Sequence, residues 1–221
     1  PWPGGTILPC VWRVRFLPDG RLLLSTLAGS LWRLDPATGE TELVDDEVQG
    51  FHPSADSRFL LSSFKGRVAF HDLLEGTVRA LPSHSDSSHE SDDWTAVALD
   101  PSGTIAISAN NRREAGRLGV VRVGPVTGEE PHLLFGPPSQ VWALAVSPDG
   151  GTVAAATEDG TIQLWPMPDI AEPALHTLPL NELLARLGAS TNARVVRDEA
   201  LPEGYRVEWQ PITRWPQHPE D

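Results

Sequence analysis

Between His84 and Asp93 the chain concentrates His84, Asp86, His89, Glu90, Asp92 and Asp93. Imidazoles interleaved with carboxylates are the donors that zinc or another transition ion selects. Serines separate most of them, which is the composition of a solvated loop. The expectation is therefore a polar loop with no metal, in which His84, His89 and Asp92 are the residues to examine as ligands. Nucleophilic chemistry has no motif to stand on. Ser, His and Asp are plentiful, so some triple will always be found, but no G-x-S-x-G elbow surrounds any serine. No G-x-x-x-x-G-K-[ST] loop is present, and Lys65-Gly66 reads as a turn. Cys10 lacks a setting that would activate it and is expected to be buried and inert. No catalytic residue and no cofactor are expected.

Recognition chemistry is better represented. There are eight tryptophans. Trp12, Trp94 and Trp142 each open an apolar run, and Arg13 and Arg15 lie beside the first of them. Aromatic rings with neighbouring arginines are over-represented at interface hot spots, so Trp12, Arg13, Trp94 and Trp142 are the candidate partner-binding residues. Trp32, Trp165 and Trp209 lie inside strand patterns and are expected to pack between layers.

The net charge of −13, from 30 acidic against 17 basic residues in 221, repels phosphate backbones and anionic lipid. Nucleic acid and membrane surfaces are thus disfavoured, and a protein or peptide with a basic patch is favoured. No apolar stretch approaches membrane-spanning length and no signal-peptide core is seen at the amino end. One cysteine suits a reducing, cytoplasmic setting. The chain starts at Pro1 with Met167 as its single methionine, and it reads as a piece of something longer.

What positions these residues is a repeat. With 19 glycines and 21 prolines, the chain favours short strands joined by turns over long helices. Four copies can be laid over one another. They are "VWRVRFLPDGRLLLSTLAGSLWRLDPATGE" (11–40), "QGFHPSADSRFLLSSFKGRVAFHDLLEGT" (49–77), "WTAVALDPSGTIAISANNRREAGRLGVVRVGPVTGE" (94–129) and "VWALAVSPDGGTVAAATEDGTIQLWPMPD" (141–169). Two anchors align them: the turn prolines Pro18, Pro53, Pro101 and Pro148, and the apolar residues Leu31, Val68, Val120 and Ile162 opening the third strand. Each run alternates with period two yet is apolar on both faces, so each copy reads as an antiparallel meander lying between two other layers. Such a unit must stack on its neighbours.

These features resemble a WD40-repeat protein. The resemblance rests on "VWALAVSPDG", on "EDGTIQLW" closing at Leu164-Trp165, and on "PDGRLLLSTLAGSLWRLDPATGE" with Asp35 in the repeat's terminal Asp position. Asp72 of "VAFHD" takes that position in the second copy. The resemblance implies an all-β fold of WD40 β-propeller blades, four of them visible and part of a larger ring. The further blades are expected from the same parent polypeptide or a companion chain. The fourth copy lacks the family's Gly-His, and Pro166 follows Trp165, so the polar network joining Thr157, Asp159, a His and Trp165 is expected to be partial.

Blades are expected over residues 1–170 and a different extension over 171–221. There Leu180, Leu183, Leu184 and Leu187 fall on one helix face, between Pro179 and a stop at Gly188. Two short strands, around Val195-Val196 and Tyr205–Trp209, then join through a turn at 202–204. This helix and hairpin resemble the tail following WD40 arrays in large multidomain bacterial proteins that carry kinase, STAND ATPase or caspase-like modules. The implied role is a non-catalytic interaction or sensor module that docks a partner on propeller-face loops and controls an upstream effector in signalling or defence. The alternative is an enzyme whose metal or acid-base site uses the loop 84–93.

Overall fold

Four turns of the same build set the architecture. In each, the N–H of the fourth residue donates to the carbonyl of the first: Gly20 to Leu17, Ser57 to Ser54, Gly103 to Asp100 and Gly150 to Ser147, at 2.9–3.0 Å. The donating residue has a positive φ every time, 85°, 56°, 78° and 76° respectively. Glycine takes that conformation without steric cost, and in the second turn serine takes it instead. A computed structural model describes residues 10–84, 95–110, 119–137, 139–190, 193–197 and 204–209.

Each turn joins the first two strands of an antiparallel sheet. Sheet A contains β1 (Val11–Phe16), β2 (Leu22–Thr26), β3 (Leu31–Leu34) and β4 (Thr41–Asp45). Sheet B contains β5 (Gly50–Pro53), β6 (Phe59–Phe64), β7 (Arg67–Asp72) and β8 (Thr77–Ala80). Sheet C contains β9 (Thr95–Leu99), β10 (Ile105–Asn110), β11 (Val120–Pro125) and β12 (His132–Phe135). Sheet D has three described strands, β13 (Val141–Val146), β14 (Thr152–Thr157) and β15 (Ile162–Pro166). All four are simple meanders in which each strand pairs with the next.

Consecutive sheets pack face to face, as their two-sided apolar patterns require. Leu23 and Leu31 of sheet A meet Phe51 and Leu60 of sheet B. Leu61 and Val68 of sheet B meet Val97, Leu99 and Ala106 of sheet C. Ile107, Val121 and Val123 of sheet C meet Leu144, Val153 and Ala155 of sheet D. The first strand β9 lies beside both β5 and β13, so the first strands of sheets B, C and D are neighbours. Polar groups also cross the boundary between sheets B and C. The Ser63 hydroxyl donates to the Thr95 carbonyl at 2.8 Å, and the Leu99 N–H donates to His52 Nδ1 at 3.3 Å.

The register corrects both sequence anchors at one copy each. Ala55, not Pro53, stands where Pro18, Pro101 and Pro148 stand, because the second turn begins at Ser54 and Pro53 ends strand β5. In the third copy Val121, not Val120, matches Leu31, since Val121 pairs with Ala109 as Leu31 pairs with Ser25. The expectation that first strands are covered on both sides holds for β9, which is wholly buried, and fails for β1, which is exposed along most of its length. Among the described residues no sheet covers the far face of sheet A. Cys10, just before β1, is accordingly exposed rather than buried.

The terminal aspartates stitch the third and fourth strands together. Asp35 Oδ1 accepts the N–H groups of Ala37 and Thr38, and Asp72 Oδ1 those of Leu74 and Glu75. The same carboxylate of Asp72 takes the Arg58 guanidinium at 3.0 Å.

The chain divides into two compact units, Pro1–Ala174 and Leu175–Asp221. The second holds α1 (Leu180–Ser190) and a hairpin of β16 (Ala193–Arg197) with β17 (Tyr205–Trp209). The Leu183 N–H donates to the Pro179 carbonyl at 2.9 Å, which opens the helix at its proline as the sequence suggests. The helix then runs through Gly188 to Ser190 instead of stopping before it.

Candidate interaction site

The first strands β1 and β13 share an irregularity. In sheet A, Val11 faces Thr26 and Arg13 faces Ser25, which leaves Trp12 as an extra residue. In sheet D, Val141 faces Thr157 and Ala143 faces Ala156, which leaves Trp142 as the extra residue. Both are β-bulges, which bend a strand and re-aim a side chain. Trp12 is 52 % exposed and Trp142 48 %. The two indoles thus emerge at equivalent points, five residues before the start of the following turn in each case, at the end of the sheets that also carries the β2–β3 and β14–β15 turns.

That end has its own chemistry. Leu27 is exposed in the β2–β3 turn. Lys65 and Gly66 form a two-residue turn with φ of 46° and 79°, and the Lys65 ammonium lies over the Phe64 ring at 5.4 Å. In the β14–β15 turn the Thr157 hydroxyl donates to Asp159 at 2.5 Å, and the Thr161 N–H donates to the same carboxylate. These bonds hold Asp159 down at about 2, so it stays ionised. Trp165 takes no part in this turn and packs against the core between sheets C and D. Trp32 is partly buried on the far face of sheet A.

Arg13 turns inward from its bulge. It is half-buried, on the face of sheet A that looks toward sheet B, and its guanidinium is depressed first by desolvation and then by Arg15. His52 on β5 feels the same two cations. Burial is the larger cause that holds its imidazole below the usual range, and Arg15 adds to it. The Leu99 N–H donated to Nδ1 requires a lone pair there, so His52 is neutral with its proton on Nε2. Arg13 therefore sits behind the exposed indole rather than beside it at the surface. Trp94, His89 and Asp92 lie outside the described residues.

His84 is described, and it is not a loop ligand. It ends a short 3-10 turn, Pro82–His84, and is completely buried. Its Nδ1 lies 3.1 Å from the Ser108 hydroxyl on β10, while Nε2 has no hydrogen-bond partner and faces the backbone of Gly124. Burial lowers its pKa to about 4, and Arg122 pushes the same way. Among the described residues no group of three or more His, Cys, Asp or Glu side chains could hold a metal ion.

Sequence reading missed a second histidine in the same kind of setting. His71 Nε2 lies 2.7 Å from the Ser62 hydroxyl and 3.7 Å from Asp45 Oδ2, beside a cavity of about 560 Å³. The residue types are those of a hydrolytic triad, but the carboxylate approaches the same ring nitrogen as the serine, and Nδ1 has no partner. A triad needs the carboxylate on the opposite nitrogen to orient the ring. Burial outweighs Asp45 and holds His71 below its usual pKa, so the group is a neutral packing element. The signal was present in the repeat: Ser62 and Ser108 occupy the same place on β6 and β10, three residues after Phe59 and Ile105.

Residues 128–166 match the family model described as WD40: WD domain, G-beta repeat. That stretch is similar to a WD40 repeat. The stacked antiparallel sheets fit a WD40 β-propeller. The matched stretch takes in β12 of sheet C and then β13, β14 and β15 of sheet D, so the WD40 sequence unit is displaced by one strand from the sheet it builds. No curated protein compared with the chain matches it. WD40 repeats in general mediate protein–protein interaction and are typically non-catalytic. No described helix is long and apolar enough to cross a membrane.

Proposed function

We propose that this chain is a non-catalytic docking and sensor module that takes a basic protein or peptide on the sheet end marked by Trp12 and Trp142. The observation that carries this is the pair of equivalent bulges, each projecting a half-exposed indole from the first strand of its sheet. Tryptophan is the strongest hot-spot residue, and loops held by a fixed scaffold are where binding gathers. The net charge of −13 selects a cationic partner over nucleic acid or an anionic membrane. Arg13 and Trp94, the other residues the sequence marks for partner binding, complete the proposed set. The wider role is that of a scaffold in a cytoplasmic bacterial signalling or defence protein, where occupancy of this end controls an effector elsewhere in a longer polypeptide. Further WD40 sheets cover the faces that sheets A and D leave open.

Selection of displayed random peptides on the immobilised chain tests the docking role. The expected result is enrichment of Lys/Arg-rich sequences whose binding is lost in Trp12→Ala and Trp142→Ala. Neutral or acidic selected sequences, or binding indifferent to both substitutions, would overturn it. An enzyme centred on the polar loop would instead lose turnover in His89→Ala/Asp92→Ala.

A further inference from the structure

On their outer strands, the boundary between sheets A and B differs from that between sheets B and C by three side chains. The register aligns the two. Leu31 faces Asp45 across β3 and β4 as Val68 faces Leu81 after β7 and β8, and Ala69 pairs with Ala80 as Arg122 pairs with Leu133. Leu81 is completely buried between sheets B and C. Asp45 holds its place between sheets A and B. Arg122 and Leu133 lie on the face of sheet C toward sheet B, as the neighbouring Ser108 does. On the matching face of sheet B, toward sheet A, both positions are alanines. The exchange leaves a cavity of about 560 Å³ whose walls include Asp45, Phe64, Ala69, Val78 and Ala80. Ligand sites span about 300–1,000 Å³.

This cavity has the chemistry of a slot for a cation on an aliphatic stem. Its floor on sheet B is apolar, and Val78 there is 55 % exposed. Along the sheet A side stand the carboxylates of Asp45, Asp46 and Glu47, against Arg67 as the single basic residue of the described lining. Arg67 reaches Glu47 at 3.7 Å. Asp45 has no cation against it among the described residues. Its side chain is only 19 % exposed, Oδ1 accepts the Glu47 N–H at 3.0 Å, and Oδ2 lies 3.7 Å from Nε2 of the neutral His71. A mostly buried carboxylate is costly until a cation meets it.

We propose that this cavity takes one arginine side chain of a partner peptide, filling the space that the chain's own Arg122 and Leu133 fill one boundary further on. The aliphatic stem lies along Val78, Ala69 and Ala80, and the guanidinium meets Asp45. Arginine suits the slot better than lysine, because its guanidinium is weakly hydrated and presents paired N–H groups to a carboxylate. This rests on the reading that the partner is basic, and it names the side chain by which the partner is read. The boundary between sheets B and C, where Leu81, Arg122 and Leu133 occupy the matching positions, takes none.

Titration of the 221-residue chain with the tripeptide acetyl-Ala-Arg-Ala-amide, followed by NMR of the alanine and valine methyl groups, reads the outcome. Saturable shifts are expected at Ala69, Val78 and Ala80. The citrulline analogue keeps the shape and loses the charge, so it should bind on the order of ten-fold more weakly. Asp45→Asn should weaken the arginine probe to the same degree. Ala80→Leu, at an exposed position, should fill the cavity and abolish the shifts while the rest of the spectrum stays as it was. Equal binding of the citrulline analogue, shifts that survive Asp45→Asn or Ala80→Leu, or the absence of saturable shifts at these three residues would overturn the proposal. If basic peptides are still selected through Trp12 and Trp142 in that case, the docking reading stands without the cavity. Arginine bound here while display selects neutral or acidic peptides would keep the cavity and overturn the docking end.

Discussion

Two buried histidines, His71 and His84, and the partly buried His52 show how a polar ring is kept inside a sheet stack. Each is neutral because the cost of desolvating an imidazolium exceeds any gain from its neighbours, and for His71 this holds even with Asp45 nearby. In the unfolded chain these rings protonate near pH 6.5, whereas His84 in the fold does so only near 4. The unfolded state then binds more protons within that window. The stability contributed is full above pH 6.5, falls as the pH drops toward 4 and levels off below it. For His84 alone the loss is on the order of 3 kcal/mol, and His52 and His71 add to it in the same direction. Urea unfolding at pH 7 and at pH 5 should show the decline, and His84→Gln should flatten it. A second prediction at this scale concerns the indoles. Truncating a hot-spot tryptophan costs about 2 kcal/mol or more, roughly 30-fold in Kd. Trp12→Ala and Trp142→Ala should each weaken a selected basic peptide by that factor in titration calorimetry while leaving Tm within a degree or two, because half-exposed bulge residues contribute little to the core.

Turns decide how the elements line up, and they can be tested singly. Gly150 has a φ of 76° and open space where a Cβ would go. Gly150→Ala therefore reports backbone strain alone, about 1 kcal/mol. Gly103 has a similar φ of 78°, but a Cβ there would lie 2.6 Å from the Phe59 ring and 3.3 Å from the Ser54 Cβ across the boundary between sheets B and C. Gly103→Ala should cost clearly more, about 2–3 kcal/mol, by the same urea measurement, since strain and overpacking add. If the two variants are equal, sheet packing at that turn is looser than the contacts imply. The elements themselves were readable from the sequence because period-two alternation and Pro-Asp-Gly turns are local signals, as β1, β2, β13 and β14 show. Outer strands such as β8 (Thr77–Ala80) were not separately legible, because an exposed four-residue edge carries no apolar pattern. The second turn misled the alignment because Ser57 supplies the positive φ that glycine supplies elsewhere, and Pro53 imitated a turn proline. At the candidate site, the type of residue was legible but its orientation was not. A bulge is set by register between two strands, so nothing near Trp12 or Arg13 announces that the ring points out and the guanidinium in. The burial of His84 depends likewise on Ser108 and Gly124, which meet it only once sheet C has formed.

At the scale of the whole molecule, the stack separates what is rigid from what is available. Internal boundaries bury Leu60, Leu61 and Val68 of sheet B and Val97, Leu99, Ile107, Val121 and Val123 of sheet C, whereas the bulged ends of β1 and β13 remain open to other molecules. Charge acts over this scale as well. With 30 acidic side chains against 17 basic ones, and Arg13 and Arg15 on the face toward sheet B, the docking proposal requires that a cationic partner be drawn in before any contact forms. The Debye length is about 10 Å at 0.1 M salt and shrinks to about 3 Å at 1 M, so this attraction is screened progressively while apolar contact by the indoles is not. Raising salt from low to high should therefore slow association of a basic peptide by about ten-fold or more and leave its dissociation rate nearly constant. Surface plasmon resonance over a salt series measures the two rates separately. An association rate that does not change with salt would mean the partner is held by the tryptophans alone, and a dissociation rate that rises with it would place a desolvated ion pair at the centre of the contact.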